Sequence, residues 1–452
     1  MFIRRFGLPV GSLLSVCLLS AIPAIADSQA RVVRLSDVQG DVQINRASGK
    51  AYEKGFLNLP ITQSDKVRTG EDGRAQVEFE DGSSVRITPN SLIEFQALSL
   101  RDSGGKVSTV NLQRGTAYVN FNGMKDDQFT INFSHQTVAL TQPAHLRVEL
   151  SDGQASLAVF KGEVRIQGPA GTEEVSKNRT ATFDLLNSDK YELVKNLEED
   201  PFDAWDKQQQ QYQDRYMSSN TYGSYSSYSP YAYGASDLNY YGNFMSAPGY
   251  GTFWQPYFAG AGWDPFMSGA WYYNPGFGYS WVSAYPWGWT PYHYGTWVFI
   301  PAYGWGWQPG GSWAGLNTIP RVSNPPTTFV APKPPVTGGS TSPVIVSRGP
   351  SFPGTSGNKV VVNSTSAGLG IPRGTVNNLA KLQQRVQQDG SATARIHTAP
   401  VLATPSFGGV YRSTAPAGAR TSPGVRSFPS ARSGAPAARP ASAPHGASSP
   451  HR

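Results

Sequence analysis

A tryptophan-rich pattern that occurs twice constrains this chain more than any other feature of its sequence. The pattern W-x-P-[FY]-x2-G-x-W-x3-P-x2-G-x2-W fits residues 263–281 and again residues 289–307, with a period of 26 residues. A partial copy with one inserted residue covers residues 254–263. Repetition at a fixed spacing indicates stacked supersecondary units, because one small unit cannot bury its own apolar surface. We therefore predict a pair of short strands with Pro and Gly turns in each copy.

The region around this repeat consists largely of aromatic and small residues. Residues 216–313 contain 33 aromatic residues, and their only charged residues are Asp237 and Asp264. With few aliphatic side chains between them, the rings must pack on one another or on a partner. Two interpretations stay open: the rings form the core of a small β-repeat, or they form a platform for sugar rings or a cationic head group. The candidate binding residues of that platform are Trp263, Trp271, Trp281, Trp289, Trp297, Trp307 and Tyr292.

The N-terminus has the three parts of a secretory signal peptide. A start with two arginines precedes the mostly apolar residues 8–25, and an A-x-A cleavage site lies at residues 24–26. An uncleaved anchor helix is the alternative. The only cysteine is Cys17, which excludes an internal disulfide framework and cysteine-based zinc sites. We predict that residues 1–26 are removed and that the mature protein is periplasmic or secreted.

Alternation of polar and apolar residues predicts an all-β domain over residues 31–195. Residues 74–80 alternate, turn at an Asp-Gly pair and return as in a hairpin. Similar segments follow up to residue 166, and each of them can bury one face. An antiparallel β roll or sandwich follows from this pattern. The opposite face of the strands is expected to be exposed to solvent. It carries Glu78, Glu80 and His145, and Asp81 lies in the adjoining turn.

Several motifs of this domain occur in the order that characterises the FecR domain. They are residues 40–42 (GDV), 65–70 (DKVRTG), 73–75 (GRA), 79–83 (FEDGS), 88–91 (TPNS), 112–118 (LQRGTAY) and 159–164 (VFKGEV). Residues 32–168 therefore resemble the FecR domain. The resemblance implies a periplasmic signal transducer, since the founding member of the family controls a sigma factor through a membrane helix and a cytoplasmic segment. Arg68, Gly70, Gly73 and Gly82 are interpreted as residues that set turns and a buried Arg–carboxylate contact.

The order of the two regions carries a second resemblance. A FecR-like domain followed by the segment 236–242 (SDLNYYG) and then by the motif W-Q-P-Y resembles a group of exported bacterial proteins. Their C-terminal region is rich in Trp, Tyr, Pro and Gly and has no known function. We accordingly divide the chain into a signal peptide, a FecR-like domain at 31–195, a helix and Ser/Tyr-rich linker at 196–235, a Trp-rich repeat domain at 236–313, and a tail at 314–452.

The helix and the tail have their own signals. An Asp-Pro pair at residues 200–201 supplies an N-cap and a first helical residue, which predicts a docking helix over residues 201–216. Residues 314–452 hold fourteen Lys or Arg and one acid, whereas residues 27–313 carry a net charge of −8. We predict a disordered basic tail that binds an anionic polymer or serves as a solubilising linker. Apolar spacing over residues 376–386 predicts one short helix that ends at Gly390.

Motifs for catalysis or for cofactors are absent from the sequence. We find no H-E-x-x-H, G-x-S-x-G, P-loop or dinucleotide fingerprint, and no paired carboxylates suited to glycoside hydrolysis. We therefore predict no cofactor and no metal. The leading hypothesis is an exported, non-enzymatic cell-envelope binding or scaffolding protein whose ligand is a glycan, peptidoglycan or a protein partner. A FecR-type periplasmic sensor that acts through a separate membrane protein is the alternative, and a cryptic hydrolase is the third. Nucleic acid is not expected as a partner of an exported protein.

Overall fold

A computed structural model describes residues 31–47, 51–169, 171–217, 233–274, 278–310, 322–325, 344–347 and 359–396. The predicted signal peptide, most of the Ser/Tyr-rich linker and the end of the basic tail lie outside these residues. The described residues fall in one contact unit. They are mainly β-structure, which confirms the predicted fold class.

Seventeen strands lie between residues 33 and 194. They are β1 Val33–Gln39, β2 Val42–Asn45, β3 Tyr52–Lys54, β4 Pro60–Ile61, β5 Lys66–Thr69, β6 Arg74–Glu78, β7 Ser84–Ile87, β8 Leu92–Leu100, β9 Lys106–Phe121, β10 Gln128–Phe133, β11 Gln136–Leu140, β12 Ala144–Leu150, β13 Gln154–Lys161, β14 Glu163–Gly168, β15 Gly171–Ser176, β16 Arg179–Asp184 and β17 Lys190–Val194. Sheet A has the order β4-β1-β6-β7-β9-β12-β13-β16-β17. Sheet B has the order β3-β2-β5-β8-β9-β10-β11-β14-β15.

Strand β9 belongs to both sheets and bends between them. Its first half pairs with β8 and β10 in sheet B, and its second half pairs with β7 and β12 in sheet A. The bend falls at Gly115, whose φ is +86°. A Cβ at this position would lie 2.2 Å from the Ser91 Oγ, so only glycine fits. The pairing is antiparallel apart from β9 with β10.

The two sheets enclose one aliphatic and phenylalanine core. Apolar residues of each strand alternate inward, and side chains from sheets A and B belong to a single buried cluster. The ring of Phe79 lies 6.4 Å from that of Phe95 and 5.2 Å from that of Phe129, centroid to centroid. The predicted antiparallel β domain is therefore present, and its core lies between the sheets.

The outer face of sheet A is covered, which the sequence did not lead us to expect. Helix α1, Asp203–Met217, lies within two residues of the predicted bounds and docks on this face. Glu78 and Glu80 are buried, and His145 Nε2 lies 2.8 Å from Asp206 Oδ2 on α1. The prediction that these three side chains face solvent is wrong, because alternation identifies the two faces of a strand and not what covers them. Asp81 occupies the predicted turn and accepts hydrogen bonds from Ser83.

Three hairpins form the Trp-rich region. Helix α2, Ala235–Tyr241, leads into β18 Gly242–Ala247 and β19 Gly251–Pro256; next come β20 Gly269–Asn274 and β21 Gly278–Ser283; helix α3, Thr290–His293, then leads into β22 Thr296–Ile300 and β23 Gly304–Gln308. The second and third hairpins coincide with the two full copies of the sequence pattern, which confirms a strand pair in each of them. The partial copy at residues 254–263 contains only the end of β19 and forms no strand pair of its own. The first hairpin is a further copy that the pattern missed, because it has Phe244 where the others have tryptophan and lacks the W-x-P-[FY] that opens the full copies.

The same pair of residues closes each hairpin. A glycine lies at the start of the first strand or directly before it, and a tryptophan on the second strand covers it: Gly242 with Trp254, Gly269 with Trp281, and Gly295 with Trp307. A Cβ on these glycines would lie 2.3, 2.5 and 2.1 Å from the backbone oxygens of Gln255, Val282 and Gln308. Each glycine therefore lets the indole and the opposite strand approach more closely than any side chain would allow.

Part of the predicted disordered tail is folded. Strand β24, Val344–Ser347, pairs with β20; strands β25, Lys359–Asn363, and β26, Ser391–Arg395, pair with each other; and helix α4 spans Leu379–Asp389. The helix ends at Gly390, as predicted, with a φ of +73°. Its buried side chains pack against the rings of the Trp-rich region. Residues 359–396 are therefore a folded segment, which we call the C-terminal segment.

We predict that Gly295→Ala destabilises the protein by more than about 1 kcal/mol, because φ is positive and the added methyl group meets the opposite strand. Gly242→Ala, at the equivalent position, should also destabilise it. Urea unfolding followed by tryptophan fluorescence measures both. Gly262→Ala is the matched control, since nothing lies within 4 Å of its added Cβ. Equal stability of all three variants would contradict the role of the glycines.

Candidate functional site

The seven rings proposed as a binding platform lie in the interior. Trp271, Trp281, Trp289 and Trp307 are 0% exposed, and Trp263, Trp297 and Tyr292 are 2–5% exposed. Indole N–H groups point inward as well: Trp263 donates to the Tyr285 hydroxyl and Trp307 donates to the Tyr294 carbonyl. In this arrangement the rings offer no open face to a sugar. The platform stays a prediction, and binding by these rings would require the region to open.

One further tryptophan holds the rings together. Trp287 lies between the two sequence copies, is fully buried and was not among the candidates. Its ring centroid is 4.9 Å from those of Trp254 and Tyr285, and about 6 Å from those of Trp263 and Trp297. Contact at these spacings stabilises aromatic pairs beyond their buried area. The Trp-rich region therefore has an aromatic core centred on Trp287.

A buried ion network joins this aromatic core to sheet A. Arg34 on β1 is 0% exposed and lies 2.7 Å from Asp237 Oδ2 on α2 and 3.2 Å from Glu78 Oε2 on β6. It also donates to the carbonyl of Pro286 at 2.6 Å and to Asn58 Oδ1 at 2.9 Å. Its partners come from both sides of the interface: Glu78 and Asn58 from the β domain, and Asp237 and Pro286 from the Trp-rich region. The network thereby sets the position of the Trp-rich region on the β domain.

The C-terminal segment contributes a second arginine to the same carboxylate. Arg373 donates to Asp237 Oδ2 at 2.6 Å, and its guanidinium lies over the ring of Tyr212, 5.6 Å from the centroid. The hydroxyl of Tyr212 donates to the other oxygen of Asp237 at 2.9 Å. Asp237 is 0% exposed. One aspartate therefore links the β domain, α1, α2 and the C-terminal segment.

Burial perturbs the carboxyl groups around this network. It raises the pKa of Glu78, and the charge of Arg34 opposes the rise only in part. Burial also raises the pKa of Asp37, against the opposing charge of Arg373. At both carboxyl groups a nearby arginine favours the ionised form, and burial opposes it.

Helix α1 is attached to sheet A mainly by polar side chains. Arg86 donates to Asp206 Oδ1 at 2.6 Å, and Arg147 and Tyr118 both donate to Asp203 Oδ1 at 2.8 Å. Burial pushes the pKa of Asp206 up, but His145 and Arg86 outweigh it and leave that pKa below its ordinary value. These contacts fix α1 over the outer face of sheet A. The outer face of sheet A is thus in contact with another part of the same chain instead of with solvent.

His293 has a neutral tautomer defined by its two partners. Its Nδ1 lies 2.6 Å from the Trp289 carbonyl, which can only accept, so Nδ1 carries the proton. Nε2 then accepts from the Ser280 hydroxyl at 2.9 Å. Burial lowers the pKa of His293 to about 4, and the charge of Arg34 contributes. The arrangement suits a packing residue, as expected from its position in the repeat.

The predicted turn residues of the β domain have mixed outcomes. Gly70 and Gly73 lie in the turn before β6, and Gly82, with a φ of +81°, lies in the turn before β7, as interpreted. Arg68 makes no carboxylate contact that the structure shows; it donates to Gln43 at 2.5 Å and lies over the ring of Tyr52. The buried Arg–carboxylate contacts are made instead by Arg31, Arg34, Arg46 and Arg86.

Within the described ranges, no group of three or more His, Cys, Asp or Glu side chains is arranged to hold a metal ion. The same part of the chain includes no helix with the length and hydropathy needed to cross a membrane. The exposed rings of the Trp-rich region are Tyr250, Phe299 and Tyr303, at 38–44% exposure.

Comparison with known proteins assigns both regions to families. The FecR protein family matches residues 65–165. The chain therefore contains a FecR domain at these residues. Residues 235–325, C-terminal to the FecR domain, match a family of unknown function, DUF6600. No curated protein matches the chain.

Two solved structures resemble part of the chain. Both are crystal structures of a "putative anti-sigma factor" from Parabacteroides distasonis ATCC 8503, with 16% and 15% sequence identity and a TM-score of 0.26 each. The match covers 29% of this chain and 59% of each of those chains. The FecR-domain protein thus spans less than two thirds of their length.

Sequence reasoning missed the residues that join the two regions. Arg34, Glu78 and Arg373 carry no local signal, since each is a single charge in an ordinary context. Asp237 did have one: it is one of two charged residues among 98, in a region rich in aromatic rings. An isolated acid in such surroundings indicates a buried ion pair, because an unpaired buried carboxylate is strongly unfavourable.

We predict that Arg34→Ala destabilises the protein by about 3–5 kcal/mol, because it leaves Asp237 and Glu78 buried without their common cation. Chemical denaturation measures the loss. Arg165→Ala is the matched control, since it removes an Arg–Glu pair of 2.6 Å on the exposed surface. That variant should be nearly as stable as the wild type. A similar loss in both variants would show that burial of the network is unimportant.

We also predict an acid-sensitive contribution from His293. Its folded pKa, about 4, lies below the ordinary value of 6.5, so the unfolded chain binds a proton more readily between these pH values. This contribution to stability is complete above pH 6.5 and is lost as the pH falls to about 4. His293→Gln should make the pH dependence of the unfolding free energy shallower in that window. An unchanged slope in His293→Gln would contradict this contribution.

Proposed function

We propose that this FecR-domain protein is an exported, non-enzymatic binding protein of the cell envelope that acts through a protein partner, as a FecR-type sensor does. The carrying observation is the contrast between its two sheets. The outer face of sheet A is sealed by α1 and the Trp-rich region, whereas the outer face of sheet B is open. Gln96, Ala139 and Arg165 on that face are exposed, and their strand neighbours alternate with the buried core.

The family match supports a partner of this kind. FecR proteins are sensor or regulatory proteins, and a sensor needs a surface that another protein can reach. The buried contacts of Arg34 hold the Trp-rich region on the β domain, so a partner would meet the two regions as one unit. Export rests on the signal-peptide pattern, and the basic end of the tail stays a predicted site for an anionic polymer.

Photo-crosslinking in cells tests the proposal. A photoreactive residue at Gln96 or at Arg165 should give the same discrete crosslink to one envelope protein, because both positions share the open face of sheet B. Asp389, exposed on α4, is the control position and should not give that product. Identical products at all three positions, or no product at either sheet B position, would count against the proposal.

Glycan binding stays a second candidate, now on the exposed rings Tyr250, Phe299 and Tyr303 instead of the seven buried ones. Exposed aromatic faces stack on sugar rings, so this is the part of the Trp-rich region that a glycan can reach. A sedimentation assay with insoluble peptidoglycan should use the full mature chain, because the C-terminal segment belongs to the aromatic core.

For this candidate we predict that the wild type pellets with peptidoglycan and that a Phe299→Ala, Tyr303→Ala double variant remains in solution. Phe56→Ala is the control, at an exposed ring of the FecR domain. A double variant that pellets like the wild type would exclude these two rings as the site.

A further inference from the structure

The C-terminal segment crosses the Trp-rich region in a groove whose side chains form hydrogen bonds with its main-chain atoms. The indole of Trp287 donates to the Ala367 carbonyl at 2.7 Å, and the hydroxyl of Tyr241 donates to the Ile371 carbonyl at 2.5 Å. The Tyr240 hydroxyl lies 3.1 Å from both the carbonyl and the N–H of Val376. We call the surface formed by Tyr212, Asp237, Tyr240, Tyr241 and Trp287 the aromatic groove. Its contacts to main-chain atoms could be made with any peptide of suitable shape.

Two features of the bound residues are specific. A Cβ at Gly368, where φ is +94°, would lie 2.9 Å from the ring of Tyr241 and 3.3 Å from the indole nitrogen of Trp287. Glycine is therefore required where the segment passes over these rings. Ile371 then fills an apolar site at 1% exposure. The groove consequently selects a glycine followed, three residues later, by an aliphatic residue.

The charge at the end of the groove is the strongest requirement. Asp237 receives Arg34 from the FecR domain and Arg373 from the segment. Without Arg373, the buried carboxylate of Asp237 would keep only Arg34, which it shares with Glu78. The emptied groove would lack one cation, in a place where an uncompensated charge is strongly unfavourable. An occupant must therefore supply a cation, and the position of that cation over the Tyr212 ring, next to a carboxylate, favours arginine.

We propose that the aromatic groove is a recognition site for an arginine-containing segment of a partner protein, and that residues 366–376 occupy it in cis as the competitor. The partner segment has the chemistry of the cis occupant: small residue, glycine, any residue, glycine, aliphatic residue, proline, arginine. This proposal deepens the proposed function by naming a partner's chemistry, but it uses a different surface from sheet B. The cis segment and the partner segment make the same contacts in the groove, so the cis segment is favoured by its tether, which raises its effective concentration.

The test uses the full mature chain and a fluorescent peptide with the sequence of residues 364–377. In the wild type the cis segment fills the groove, so the peptide should bind weakly. In Arg373→Ala the cis segment loses its cation, and we expect the peptide to bind at least tenfold more tightly by fluorescence anisotropy. Arg395→Ala removes an exposed arginine of the same segment and should behave like the wild type. A peptide with alanine in place of its arginine should not bind Arg373→Ala.

Several results would overturn the proposal. One is equal peptide affinity for Arg373→Ala and the wild type, and another is equal affinity of the two peptides for Arg373→Ala. If the variant does not fold, amide exchange of the wild type decides. A saturating excess of the peptide should accelerate exchange of the Ala367 amide, which donates to the Phe258 carbonyl, and unchanged exchange would reject the site. A wild-type dimer that the peptide dissociates would assign the groove to a second copy of this chain instead of a partner protein. Because crosslinking at Gln96 and Arg165 does not involve the groove, the two proposals can fail separately.

Discussion

The architecture depends on the buried ion pair between Arg34 and Asp237. Both side chains are removed from water, and such charges are tolerated only when each has partners in the correct geometry. Arg34 lies in the first strand of the β domain and Asp237 lies in the helix that precedes the first Trp-rich hairpin. A shift of one element along the other would break this pair and leave Arg34 with Glu78, and Asp237 with Arg373, as the remaining charged partners. An apolar contact would tolerate such a shift, so the pair contributes specificity of position more than net stability.

The three hairpins allow a region with few aliphatic residues to form a core from aromatic rings. Each hairpin places a tryptophan of its second strand over a glycine of its first, and the released space brings the strands together. The rings then meet around Trp287, at spacings typical of aromatic pairs. Three hairpins share the arrangement although only two match the sequence pattern closely. The glycine and the second-strand tryptophan are therefore the structural elements of the repeat, and the other positions vary around them.

Sequence reasoning was sufficient where a local pattern decides the structure, and insufficient where distant segments meet. Alternation predicted the strands of the FecR domain, and capping residues predicted α1 and the end of α4. Alternation could not show that Asp206, far along the chain from Arg86, covers the outer face of sheet A. The repeat likewise predicted strand pairs but not which side of the rings would be enclosed. The polar composition of residues 359–396 suggested a disordered tail, because the aromatic surface that receives their few apolar side chains lies elsewhere in the sequence.

The two arginines on Asp237 differ in a way that matters for exchange. Arg34 is 0% exposed and belongs to a strand whose neighbours are fixed on both sides, so it cannot leave without unfolding the FecR domain. Arg373 has 8% of its side chain exposed and belongs to a segment whose other polar contacts are mainly to its backbone. If a second arginine replaces Arg373, the charge balance around Asp237 is kept and the contact with Arg34 need not move. The FecR domain and the Trp-rich region would then remain joined while the C-terminal segment is released. Asp237 thus has one permanent ion pair, with Arg34, and one exchangeable ion pair, with Arg373. This arrangement allows the C-terminal segment to respond to a partner without loss of the fold.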